Sequence, residues 1–366
     1  MMTLKNVLKN RIMWPIGALV ALIAINFISR PSFLSITVQN GQFYGSIIDI
    51  LRNSAPLMLV ALGMCLVIGT RGIDLSVGAQ MAISGAVALT IIKDSPTPNS
   101  LVTISIAVLA GVTLTLIFGL WNGFLVAVLG IQPIIATLVL MLAGRGIALL
   151  ITGGFITTIN SEPYAFMASG YVFGLPFAFF VSLGAIVIVS LVVRRTALGV
   201  LTESVGINPT ASRLAGVRAR SITWSLYGLS GLLAGFAGIL YSSNIMAADA
   251  NNAGINIELD AILAVVLGGT SLAGGKFTLA GTVVGVFIIQ TLTSTITFLG
   301  VPPAVTPVFK AMVVIIVCLS QSRRVRQWVR QLWQRLRPKA GQKPTSTPTA
   351  TPTSTPTSTP TQGAVA

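Results

Sequence analysis

Residues 101–129 read LVTISIAVLAGVTLTLIFGLWNGFLVAVL, with no charged residue among them. A helix rises 1.5 Å per residue, so about 20 apolar residues cross the ~30 Å of hydrocarbon in a bilayer. Lipid offers no partner to backbone N–H and C=O groups, which leaves only helices and closed barrels as spanning structures. The stretch is continuously apolar and lacks the alternation of a barrel strand, so the reading is a transmembrane helix.

Comparable runs lie on both sides. They cover roughly 14–29, 54–70 and 75–92 before it, then 131–152, 174–193, 222–241, 259–273, 278–299 and 304–320 after it. The sequence therefore predicts an all-α integral membrane protein with about ten transmembrane helices, forming one polytopic domain over 1–320. Composition agrees: 54% of the 366 residues are hydrophobic and 8% are charged, against roughly 25% charged in soluble domains.

The net charge of +15 is a matter of topology rather than of nucleic acid. With the amino terminus in the cytoplasm, the inside connections hold Lys5, Lys9, Arg11, Arg71, Arg194, Arg195, Arg213, Arg218, Arg220, Lys276 and every basic residue beyond 320. The outside connections hold Arg30, Arg52 and Lys93. This asymmetry satisfies the positive-inside rule and places both termini in the cytoplasm. The first run has the length of a signal peptide but lacks a small-x-small cleavage site.

Beyond the last run, 321–337 (QSRRVRQWVRQLWQRLR) puts Val325, Val329, Leu332 and Leu336 on one helical face. Two readings stand: an amphipathic helix resting on anionic membrane lipid, or a solvated basic end. The tail 338–366, with its repeated Thr-Pro units, has too little apolar content for a core and reads as disordered.

Histidine is absent, which removes Ser-His-Asp and Cys-His nucleophile pairs and imidazole proton relays. Cys65 and Cys318 lie within apolar runs and read as buried thiols. The stretch 268–277, GGTSLAGGKF, is a near miss for a phosphate-binding loop: Thr270 stands where the first Gly belongs and Phe277 where Ser or Thr belongs. No metal site or directly bound cofactor is expected, and any ATP and magnesium belong to another subunit.

One polar stretch interrupts the apolar pattern: ESVGINPTASRLAGV, 203–217. Asn208 suits an N-cap, Pro209 the first helical turn, and Gly216 the left-handed position after Ala215. A helix of about two turns between them is too short to span. It reads either as a knob offered to a soluble partner, with Glu203 and Arg213 as oriented polar groups beside small Ala211, Ser212, Ala215 and Gly216, or as an ordinary interfacial loop helix.

Polar residues elsewhere mark candidate pathway positions. Asp74 belongs at a cytoplasmic turn near the start of the third helix, where a carboxylate is favourable at the helix N-terminus; direct substrate contact is the alternative. Asn122 and Gln132 either line a pathway or bond a neighbouring helix. Arg145, inside an apolar run, needs a carboxylate or carbonyl partner. Asp249, Asn251, Asn252, Glu258 and Asp260 cluster after the seventh helix on the outer side, as a hydroxyl-binding surface or a solvated loop.

The stretches VGINPTASRLAGV, GIDLSVGA (72–79), GLWNGFLVAVLGIQPIIATL (119–138) and LDAILAVVLGGTSLAGGKFTLAGTVVG (259–285) resemble, in order and spacing, the permease subunits of bacterial ATP-binding-cassette sugar importers of the ribose and galactose group. RGIALLITGG (145–154) and ADANNAGINIELDAILAVV (248–266) are most similar to the galactofuranose permease. The Thr-Pro tail departs from that pattern. The resemblance implies that Glu203, Gly206, Asn208, Pro209, Ala211, Ser212, Arg213, Leu214, Ala215 and Gly216 form the coupling segment that docks on a separate ATPase. It further implies a periplasmic or extracellular sugar-binding protein, a second permease copy or relative, the bacterial inner membrane, and no enzymatic activity in this chain. Two other classes remain on the residues alone: an ion-coupled secondary transporter, which the absence of His and the scarcity of mid-span carboxylates disfavour, and a passive facilitator.

Overall fold

The computed structural model describes residues 13–300, 302 and 305–321. Helices dominate: α1 (Met13–Ser29), α2 (Ser46–Gly69), α3 (Val77–Asp94), α4 (Leu101–Ala127), α5 (Pro133–Ile151), α6 (Glu162–Ser169), α7 (Phe177–Arg195), α8 (Leu198–Ile207), α9 (Pro209–Leu214), α10 (Ala219–Ile245), α11 (Ile257–Leu267), α12 (Leu279–Phe298) and α13 (Thr306–Gln321). The 321–337 helix and the 338–366 tail lie outside the described residues, apart from Gln321.

Each of the ten apolar runs contains a helix, and among the described residues seven helices are long and apolar enough to cross a membrane alone: α2, α3, α4, α5, α7, α10 and α12. The other three runs carry the shorter helices α1, α11 and α13. The departure is clearest at 259–273, where α11 has 11 residues, about 16 Å. Hydropathy summed over a window does not register a break in the backbone: Asn256, with φ of +60°, starts this helix, and the glycine-rich 268–275 ends it.

The bundle is centred on α2, 78% of whose most apolar window is buried, against 17% for α7 at the periphery. Close packing around α10 comes from small residues. A Cβ on Gly119 of α4 would lie 2.5 Å from the Tyr227 carbonyl oxygen, and one on Gly235 would lie 2.1 Å from the Thr115 hydroxyl. Helices in lipid gain little from hydrophobic contact with each other, so this close backbone approach and its dispersion energy supply the association.

Contacts fix relative direction. Asp74 and Gly85 of the α3 region meet Ser230 and Ser242 of α10, and Ile73 and Ala79 meet Thr137 and Gly144 of α5. So α3, α5 and α10 run parallel. One end of the bundle carries α8, α9 and the 268–277 turn, held by a hydrogen bond from the Gly275 N–H to the Gly69 carbonyl (2.9 Å). The other end carries α6 and three two-stranded ribbons: Thr37–Gln39 with Gln42–Tyr44, Thr157–Thr158 with Ala247–Ala248, and Tyr171–Val172 with Leu175–Pro176, all antiparallel. The described residues of the basic set assigned inside, including Arg194, Arg195, Arg213 and Lys276, cluster at the α9 end by connectivity.

Candidate functional site

At the α9 end, the six-residue helix is built as its sequence suggests. The Asn208 side-chain oxygen accepts from the Ala211 N–H (3.0 Å), Pro209 fills the first turn, and Gly216 takes φ of +85° to end it. Leu214 is 87% exposed, an apolar tip beside exposed Arg213, Ala215 and Ala211. Ser212 departs from the expected approach surface, because it turns inward and is buried. Glu203 and Gly206 belong to the preceding helix α8, so the 203–217 stretch covers two helices rather than one knob.

The sequence reading missed how this end is tied to the interior. Arg71, in the left-handed conformation at φ +67°, donates from its guanidinium to the carbonyls of Gly206 and Ile207. Those are the last two residues of α8, whose carbonyls have no partner within their own helix and attract a cation at the helix C-terminus. Arg71 also opens the non-helical segment that carries Asp74.

Asp74 lies deep inside the bundle rather than at a surface turn. It is fully buried and level with Ser230, 11 residues into α10, roughly 16 Å from that helix's start. Its carboxylate accepts from the Ser76 N–H (3.1 Å), the Ser76 hydroxyl (2.6 Å) and the Ser230 hydroxyl (2.9 Å). The Ser76 hydroxyl in turn accepts from the amides of Gln80 (2.7 Å) and Asn122 (2.8 Å). These bonds give a buried carboxylate the donors it needs. Asn122 thus joins a network between helices. Gln132 is exposed at the residue preceding α5 and lies outside it.

The predicted outer cluster divides into parts with different surroundings. Asp249 closes a turn on itself, accepting from the Asn251 N–H and Asn252 N–H (3.1 Å each) and the Asn252 amide (2.7 Å). Beyond that turn, 249–256 descends from the end opposite α9 into the middle of the bundle, where Gly254 meets Gly78 at the start of α3. Here α11 begins, and Glu258 is buried against Gly78. Arg145 supplies the anchor: its guanidinium donates to the carbonyls of Ala250 (3.0 Å) and Ala253. Irregular backbone at this depth leaves carbonyls without partners, and the arginine satisfies two of them. Asp260 pairs with Lys310 of α13 at 2.6 Å, a partnership across 50 residues that local sequence does not reveal.

Gly78 sets how far the descending segment reaches. A Cβ there would lie 2.4 Å from the Gly254 carbonyl oxygen and 2.8 Å from a Glu258 carboxylate oxygen. Gly78→Leu is expected to push the segment out at about 1–3 kcal/mol, seen as a lowered unfolding midpoint in detergent and lost uptake. Gly146→Leu, where nothing lies within 4 Å of the added Cβ, is the control that leaves both unchanged.

Residues 46–318 match the family model described as branched-chain amino acid transport system / permease component. The chain is 46% identical over 323 residues to the galactofuranose transporter permease protein YtfT of Escherichia coli, covering 86% of this chain and 92% of that one. It is 40% identical to the fructose import permease protein FruF of Bifidobacterium longum (88% and 90% covered). Identity is 35% with the ribose import permease protein RbsC of Escherichia coli (84% and 92%). No solved structure matches it. A multi-helical bundle with a buried carboxylate network, a backbone segment descending to its centre, and relatives matched across nearly their whole length lead to one conclusion: the chain belongs to this family of multi-pass transport permeases, alongside the galactofuranose, fructose and ribose permeases.

Proposed function

We propose that the chain is the membrane-spanning subunit of an ATP-driven, binding-protein-dependent sugar importer in the bacterial inner membrane, carrying galactofuranose or a related monosaccharide by alternating access. Both termini lie in the cytoplasm, α9 is the coupling helix, and an ATPase subunit using ATP and magnesium docks on it. A sugar-binding protein delivers substrate from outside, and a second permease, identical or related, completes the pathway. One observation carries the reading: α9, capped and exposing Leu214 at its tip, follows directly on the α8 carbonyls that Arg71 grips at the head of the segment leading to Asp74. The names of the relatives support sugar as cargo. The family description favours a branched-chain amino acid as second reading.

The test is uptake into vesicles holding the permease, the ATPase and the binding protein. ATP-dependent uptake of a sugar and not of leucine is expected. Arg213→Glu and Gly216→Trp are expected to lower co-purification of the ATPase and uptake about tenfold or more, with membrane insertion intact. Uptake that follows a proton or sodium gradient, or that needs neither ATP nor the binding protein, would overturn the ATP-driven reading.

A further inference from the structure

Lys310 is a charged residue in the otherwise apolar α13 (TPVFKAMVVIIVCLSQ). An ammonium inside a membrane helix costs several kcal/mol unless it is paired or faces a polar cavity, and here Lys310 is paired with Asp260 and borders a cavity with polar walls. The Lys310 and Asp260 side chains keep 15% and 21% of their surface, and that remaining surface lines a cavity of about 190 Å³. A plain strut between α11 and α13 would be sealed. The other walls carry Asn53 of α2, Tyr241 of α10, Asn252 of the descending segment and Gln290 of α12, so with α11 and α13 six separate parts of the fold converge on the cavity. A larger, mostly apolar groove of about 630 Å³ adjoins it and shares Ile255, Asp260 and Lys310.

The chemistry of the wall identifies its guest. Amides, a phenol, an ammonium and a carboxylate stand beside the apolar Pro56, Leu57, Ile255 and Ile257, a mixture of hydrogen-bond donors and acceptors with apolar surface that suits a ring with hydroxyls at its edge and C–H groups on its faces. An amino-acid zwitterion needs one free charge of each sign, whereas Asp260 and Lys310 neutralise each other. A cavity of this volume is below the roughly 300–1,000 Å³ of drug-sized sites and fits one small ring.

We infer that this cavity, walled by Asp260, Lys310, Gln290, Asn53, Asn252 and Tyr241, holds a single monosaccharide ring on its way through the permease. The inference rests on the sugar-importer reading and adds to it a location and a set of residues. The ion pair orients the ring, and Asn252 ties occupancy to the descending segment that Arg145 holds.

The experiment uses the full-length permease with its ATPase and binding protein, in a Cys65→Ala, Cys318→Ala background carrying Thr293→Cys on the α12 wall. Asn53→Cys, on the facing wall, is the second reporter. Thiol labelling is timed with ribose, fructose, galactose or leucine present. Slower labelling with at least one sugar, none with leucine, and a KM raised about tenfold in Gln290→Leu with a smaller change in kcat are expected. Labelling of both reporters that ignores a sugar whose ATP-driven uptake is intact overturns the cavity while sparing the importer. Sugar protection without ATP-dependent uptake keeps the cavity and removes the ATP-driven reading. Protection by leucine overturns the sugar assignment.

Discussion

Arg145→Met is expected to cut uptake by a factor of about 100 or more while the protein still inserts in the membrane. The guanidinium is the shared partner of the Ala250 and Ala253 carbonyls, whose residues are 4% and 7% exposed. Hydrogen bonds to a charged group contribute about 1.5–3 kcal/mol each, and a buried acceptor stripped of its donor costs about 1–3 kcal/mol. Losing both bonds therefore removes several kcal/mol from the anchorage of this segment, and the start of α11 is expected to move with it. A cysteine at Asn251 reports the change: its labelling accelerates in Arg145→Met and less in Arg145→Lys, which keeps the charge but loses the planar fork. Labelling and uptake that match the parent protein in Arg145→Met would show that the anchor is dispensable.

Arg71→Ala is expected to separate fuel use from transport. With the proposed ATPase docked, hydrolysis continues near its usual rate while uptake falls about tenfold or more. Arg71 touches the last two carbonyls of α8, one residue before the Asn208 cap of α9, and its own backbone opens the segment leading to Asp74. On the proposed reading a displacement of α9 would reach the α3 start through that grip, a contiguous network by which coupling can travel. The ratio of ATP hydrolysed to sugar moved is the measurement, with Arg71→Lys intermediate. If both rates fall together, Arg71 serves docking alone.

How much of this was legible in the sequence depended on what kind of contact was involved. The ends of α9 were readable because Asn208, Pro209 and Gly216 act locally, each on backbone within a few residues. The membrane helices were readable because hydropathy is additive along a run. The shortness of α11 was not, since LDAILAVVL has the same composition whether it spans or stops halfway. Arg145 and Arg71 stood out as charges, but both bind backbone carbonyls, and a carbonyl has no letter in the sequence. Asp260 was flagged as a surface acid because its answer, Lys310, lies 50 residues on. The family resemblance indicated what the segments do, but not that Asp74, Ser76, Asn122 and Ser230 form one network.

The pairing of Lys310 with Asp260 also bears on voltage. Moving one elementary charge across a 100 mV membrane potential involves about 2.3 kcal/mol, so an unbalanced lysine on a moving helix would make each cycle depend on how energised the cell is. Because the two charges lie 2.6 Å apart, the field acts on them as on a short dipole, and a movement that carries both together involves almost no net electrical work. On the proposed importer reading, such a movement would be equally open to a cell whose membrane has run down.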